Sequence, residues 1–235
     1  ASKRARCLTY RWPMLIRISV QPKQAPPSMP AIRVQPARVR VPSRAARVLD
    51  FDLECRPLHF YGDYVSKEIT AVAWAWCDKP DDVTCLLLGE VEPVDMFERF
   101  RAAWDQADIV TGHFIRGFDI PLMCGARSEY GLPMLADKWT HDTKMDLVSR
   151  HGMSGSQENI GSMLGLEHDK VQMNQTLWRS ANRLTKAGLA LAKKRVVGDV
   201  QMHIEMRKKL LSLGYLARPK KWSSRVVGPV AAYVP

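Results

Sequence analysis

Hydrophobic and polar positions alternate with a period of two where the body of the chain begins. Over residues 47–54, Leu49, Phe51 and Leu53 fall on one face and Val48, Asp50, Asp52 and Glu54 on the other, which predicts a strand. Residues 69–78 and 83–88 are two further apolar, β-rich runs. Lys79-Pro80-Asp81-Asp82 between them has the length and composition of a hairpin turn. The body therefore opens with three strands expected to be antiparallel neighbours.

The period then changes. Val94, Phe97, Phe100 and Trp104 recur at helical spacing over residues 93–105. Residues 108–113 predict a short strand, 119–130 a helix closed near Gly131, and 138–141 another short strand. Residues 143–151 and 157–164 predict short helices, and residues 168–184 carry no clear period. The last element runs from Thr185, a helix N-cap, to Leu213 with Gly214 as its stop. Asp199, Met202, His203, Met206, Leu210 and Leu213 share one stripe of it, and Gly198 is a candidate break. Strands first, then alternating strands and helices, then a long terminal helix describe an α/β domain with a mixed sheet.

Composition narrows the class. A chain of 235 residues, 46% hydrophobic and 25% charged, suits one domain with arms or at most two small domains, and excludes a wholly disordered chain. No apolar run approaches the roughly 18–20 residues that span a bilayer, so no membrane association is expected. The 5 cysteines are scattered and include no C-x-x-C pair. That argues against a disulfide framework and a cysteine zinc site, and for a reducing, cytoplasmic setting (bacterial, or that of a host cell).

The net charge of +11 becomes informative when it is located. Every acidic residue lies beyond residue 49, whereas Lys3, Arg4, Arg6, Arg11, Arg17, Lys23, Arg33, Arg38, Arg40, Arg44 and Arg47 precede it. Beyond that point acidic and basic residues balance. Pro13, Pro22, Pro26, Pro27, Pro30, Pro36 and Pro42 break helices and sheet interiors in the same stretch. Residues 1–45 are read as an extended basic arm with short strands at 14–20 and 31–34. It suits contact with phosphates, and equally a solvated tail or a targeting segment. Residues 46–216 form the domain and 217–235 a second basic tail.

Three acidic features have apolar settings. Asp52-Leu53-Glu54 places two carboxylates on one face of a strand, where a divalent cation would offset the cost of burying them; the wet face of a strand is the plainer alternative. Gly112-His113-Phe114-Ile115-Arg116-Gly117-Phe118-Asp119 ends a strand and places Asp119 in the first turn of a helix, where a carboxylate also simply faces the helix dipole. Asp199 interrupts the apolar stripe of the last helix, with Arg195 one turn earlier as an available ion-pair partner.

Taken in order, D-x-E on the first strand, G-H-x-x-x-x-F-D after a later one and an Asp on the last helix resemble the DEDD superfamily of 3′–5′ exonucleases. That superfamily includes the proofreading exonucleases of DNA polymerases and ribonuclease D. The resemblance covers residues 46–216, and the segments 141–147 and 156–165 also look like those between the family's second and third motifs. It implies a ribonuclease-H-like fold, a five-stranded mixed sheet flanked by helices. It implies that Asp52, Glu54, Asp119 and Asp199 are the catalytic residues, holding two Mg²⁺ or Mn²⁺ ions for in-line hydrolysis of a phosphodiester. His113, Phe114 and Arg195 would then bind substrate, Phe114 by stacking on a terminal base unless it belongs to the core.

The chain departs from the family at one informative place. The Tyr four residues, or His five residues, before the last Asp is here Arg195 or Lys194, and arginine cannot act as a base at neutral pH. His203, one turn beyond Asp199, is a core-edge histidine or a helper at the site. Asp50 offers an alternative register for the first motif. Trp178 and Trp222 stand in polar segments, open to base stacking or to structural use.

The reading is a metal-dependent exonuclease removing nucleoside monophosphates from single-stranded or frayed DNA ends, with RNA as an alternative substrate. It would be free-standing or a subunit with a polymerase or replication partner. Two rivals remain: a catalytically weak module that binds nucleic acid or a polymerase, and a structure-specific endonuclease on the same fold.

Overall fold

The computed structural model describes residues 44–58, 65–147, 154–168 and 171–224. The expected arm strands at 14–20 and 31–34 lie outside the described residues. Strand β1 (Val48–Pro57) is flanked by β2 (Lys67–Trp76), antiparallel to it, and β4 (Ile109–Gly112), parallel to it. Strand β3 (Thr84–Leu87) pairs antiparallel with β2, and β5 (Lys138–Asp142) parallel with β4. The first three strands are thus antiparallel neighbours, as their hairpin spacing predicts. Strand β6 (Lys220–Trp222) adds a sixth beside β5, giving the order β3-β2-β1-β4-β5-β6.

That sixth strand is one more than the expected sheet, and it lies in a segment whose charge alone suggested a tail. Its side chains explain it. Trp222 packs edge-on against Trp104, with ring centroids 5.8 Å apart, while Lys220 and Lys221 reach Asp146 and Asp137, each at 3.1 Å.

The faces of β1 and β2 decide what packs where. Leu49, Phe51 and Leu53 of β1, with Val72 and Trp74 of β2, face helices α1 (Pro93–Gln106) and α2 (Asp119–Glu129). Phe51, Phe100 and Trp104 form the aromatic centre of this core. On the opposite face β2 presents Ala71, Ala73 and Ala75, whose small side chains let Val196, Val200 and Ile204 of the long helix α5 (Lys186–Ser212) lie close on the sheet. Helices α3 (Gln157–Leu164) and α4 (Gln175–Asn182) pack against α5. The result is a mixed sheet between helical layers, a ribonuclease-H-like fold.

Several local expectations are corrected. Helix α5 passes through Gly198 without a break, and Thr185 caps it by accepting from the Gly188 backbone N–H at 3.0 Å. Residues 175–182, part of a polar segment left ambiguous by its sequence, form α4 under an Asn174 cap. The helix expected from Thr143 does not form among the described residues of that segment: residues 143–145 make a turn, and Leu147 bridges to Leu216. Its backbone is captured instead by Asp142, whose carboxylate accepts from the N–H groups of Lys144 and Met145.

Candidate metal centre

The site grows from a match between one strand and one helix. Two residues along a strand advance the chain about 6.6 Å, and four residues along a helix about 6 Å. The acidic face of β1 (Asp50, Asp52, Glu54) therefore keeps step with the stripe His203, Asp199, Arg195 of α5, read in the opposite direction. His203 Nδ1 meets Asp50 Oδ2 at 2.5 Å, and Arg195 Nε meets Glu54 Oε1 at 2.6 Å. Between these two contacts, Asp52, Glu54 and Asp199 bring carboxylate oxygens within 4.8 Å of one another.

Asp119 lies beside this trio but outside it. It is the first residue of α2, buried, and lines the same cleft as Asp52, Glu54 and Asp199. Burial pushes its carboxyl up to about 7; hydrogen bonds from its own N–H and that of Leu53 oppose the rise, and the charges of Asp142 and Glu54 add to it. The four carboxylates named from the sequence thus face one cleft of about 320 Å³. Its other walls are His113, Phe114, Phe118, Lys144, Arg195 and residues 155–157.

The loop between β4 and α2 is shaped by Asp142, which sequence reading passed over. Gly112 is its register partner across β4 and β5. Asp142 is fully buried and accepts backbone N–H groups from Phe114 and Arg116 in addition to those of Lys144 and Met145. This holds Phe114 at φ +71°, a left-handed conformation rare outside glycine. Gly117 makes room for the Phe114 ring, which a Cβ there would meet at 2.3 Å. The ring sits at the cleft with Lys144 Nζ 4.1 Å from its centroid. Arg116 points away and makes two bonds to Asp146, at 2.6 and 2.9 Å.

His113 is tied down at both nitrogens. Nε2 faces the Gly155 carbonyl at 2.9 Å and so carries the proton, leaving Nδ1 to accept from the Thr143 hydroxyl at 3.0 Å. The same hydroxyl oxygen accepts from His203 Nε2 at 2.8 Å, and His203 Nδ1 hydrogen-bonds the Asp50 carboxyl on its other side. A continuous chain Asp50–His203–Thr143–His113–Gly155 therefore joins the buried end of β1 to the cleft wall. Burial, with the His203 ring nearby, lowers His113 to about 4 and keeps it neutral; burial also raises Asp50, partly offset by His203. Asp50, the alternative register, is thus fully enclosed behind the cleft.

Arg195 lies at the cleft edge. Besides Glu54 it approaches Asp199 Oδ2 at 3.7 Å and donates to the Val171 carbonyl at 2.7 Å. Trp178, left open by the sequence, covers its guanidinium at 5.2 Å. Of the two tryptophans in polar segments, one thus backs the site and the other belongs to the core edge.

Three carboxylates on two rigid elements could hold a hard divalent cation, since carboxylate oxygens are the donors Mg²⁺ and Mn²⁺ prefer. No protein-family model matches the chain, and no curated protein matches it. Among solved structures it is similar to the family B DNA polymerase of the hyperthermophilic archaeon Pyrobaculum calidifontis, with a TM-score of 0.55 and 15% identity over 72% of this chain. The match covers 25% of the polymerase. At that identity the likeness is one of fold. Among the described residues no helix is long and apolar enough to cross a membrane.

Proposed function

We propose that the protein is a metal-dependent 3′–5′ exonuclease acting on single-stranded or frayed DNA ends. The observation that carries this reading is the convergence of Asp52, Glu54 and Asp199 within 4.8 Å at a cleft that Asp119 also lines. The fold likeness to a DNA polymerase supports it, because the motif resemblance independently points to the proofreading exonucleases of such enzymes.

In this reading two divalent ions would be held, with Asp52, Glu54 and Asp199 as the principal ligands and Asp119 as the fourth carboxylate. Ions bound there would supply an activated water and charge stabilisation for the leaving 3′ oxygen. The chain's own residues perform the remaining work. Phe114, fixed by its backbone and by Gly117, offers an aromatic face for a terminal base, and Lys144 above it offers a cation for a neighbouring phosphate. Phe118 with Lys67, 4.4 Å from its centroid, repeats the arrangement on the next stretch of wall. His113, neutral and held by Thr143 and Gly155, keeps the wall in register with the carboxylates.

The test is incubation of 3′- and 5′-labelled single strands with Mg²⁺, Mn²⁺ or EDTA, beside Asp52→Ala and Asp199→Ala. Metal-dependent release of mononucleotides from the 3′ end, lost in both variants, is the expected result. Cleavage of a circular single strand would replace the reading with an endonuclease. Binding without cleavage in either metal would favour a nucleic-acid-binding module, the reading to which the Arg195–Glu54 contact lends weight.

A further inference from the structure

Arg195 occupies the position where the resemblance calls for a Tyr or His, and its surroundings give it a different task. Its Nε lies 2.6 Å from Glu54 Oε1 and its Nη2 3.7 Å from Asp199 Oδ2, so its single positive charge is shared between two of the three clustered carboxylates. The Arg195 and Glu54 side chains are only 14% and 12% exposed. Solvent therefore screens this pair less than an ordinary surface ion pair.

The guanidinium is also held from the side away from the acids. Nη1 donates to the Val171 carbonyl at 2.7 Å and the Trp178 ring lies 5.2 Å from Cζ. Those two contacts keep the charge at the edge of the cluster whether or not the carboxylates turn elsewhere. The strand–helix match supplies the remaining constraint. Arg195 is one turn from Asp199 on α5, directly opposite Glu54 on β1.

We propose that Arg195 is a built-in counter-ion that competes with a divalent cation for Glu54 and Asp199, and thereby sets the affinity of the site. This rests on the reading of the cluster as a metal centre. An ion taken up by these oxygens must draw Glu54 from the guanidinium and then sit close to a fixed positive charge. Both effects weaken uptake. The same contacts spare the fold the mutual repulsion of three carboxylates, so removing Arg195 moves stability and metal affinity in opposite directions.

Mn²⁺ serves as the probe, with free ion followed by electron paramagnetic resonance and the fold by thermal unfolding in EDTA. Arg195→Gln keeps a polar, hydrogen-bonding side chain, shorter by two atoms, and removes its charge. It is expected to bind Mn²⁺ about 10-fold more tightly than the wild type and to melt at a lower temperature in EDTA. Arg195→Lys keeps the charge and loses the fork, and should show a smaller gain. If Arg195→Gln fails to fold, the lysine variant decides alone by the sign of its change. Equal or weaker Mn²⁺ binding in the variants, with the wild type binding, would overturn the counter-ion role and leave Arg195 a brace between β1 and α5. Absence of Mn²⁺ binding by the wild type, unchanged in Asp52→Asn, would overturn the metal centre itself and this proposal with it.

Discussion

Asp52→Asn should make the protein more stable in EDTA and less stable in Mn²⁺, and this reversal of sign tests the metal centre without any assay of activity. Asp52, Glu54 and Asp199 lie within 4.8 Å of one another. Two like charges at that distance repel by roughly 3.5 kcal/mol at an effective dielectric of 20 and roughly 0.9 kcal/mol in bulk water. Asp52 is half-buried and Arg195 already offsets part of the cluster's charge, so removing the Asp52 charge should return about 1–2 kcal/mol. For a body of this size that corresponds to roughly 3–6 °C in Tm. Metal works the other way. An ion at about 100 times its Kd adds about 2.7 kcal/mol to the stability of the state that binds it, and the variant loses most of that gain. Thermal unfolding of both proteins in EDTA and in saturating Mn²⁺ reads all four values. A variant that melts below the wild type in EDTA, or that responds equally to Mn²⁺, would refute the argument.

Other expectations concern the frame around the cleft. Asp50→Ala leaves His203 buried without its acceptor and should cost about 3–5 kcal/mol in urea unfolding; Asp50→Asn, which keeps an acceptor, should cost clearly less, and equal losses would count against the contact. Gly112→Ala places a Cβ 2.3 Å from Ile115 Cγ2 and 2.8 Å from the Phe51 carbonyl oxygen, so it should cost about 1–3 kcal/mol by overpacking; a melting temperature like the wild type's would show that the β1–β4 junction yields. His113 and His141 are both lowered to about 4 by burial, His141 further by Arg207. Between about 4 and 6.5 the unfolded chain takes up protons that these two rings refuse in the folded one, so their contribution to stability falls as pH drops through that window and is level above it, while Asp119, raised to about 7, contributes with the opposite sign. Each histidine contributes up to about 3 kcal/mol to that fall, and His141→Gln should flatten the slope of stability between pH 7 and 4.5; an unchanged slope would place the acid sensitivity elsewhere.

The order of elements was legible from residue patterns because each pattern is local. Leu49, Phe51 and Leu53 alternate in any extended backbone, and Thr185 and Gly214 mark helix ends wherever the helix packs. Residues 69–78 read only as an apolar strand, and the division of β2 into a face of Ala71, Ala73 and Ala75 under α5 and a face of Val72 and Trp74 came with packing. The missed elements failed for equally local reasons. Helix α4 is polar over most of its surface, β6 is only three residues of Lys-Lys-Trp, and the backbone after Asp142 is diverted by a side chain whose other partners lie in the loop between β4 and α2.

The candidate site divides along the same line. Asp52, Glu54, Asp119 and Asp199 could be named from the sequence, since their order and spacing match a motif and their apolar settings make bare carboxylates costly. Which acids meet depended on geometry across some 150 residues of chain, from β1 to α5. Only the packed strand and helix, advancing by nearly equal steps, place Asp199 over Asp52 and Glu54, send Asp50 behind them to His203, and set Arg195 against Glu54. A sequence specifies which residues share a face of one element. The distance between two such faces, and hence which charges neutralise, repel or remain to receive a cation, is decided when the elements pack.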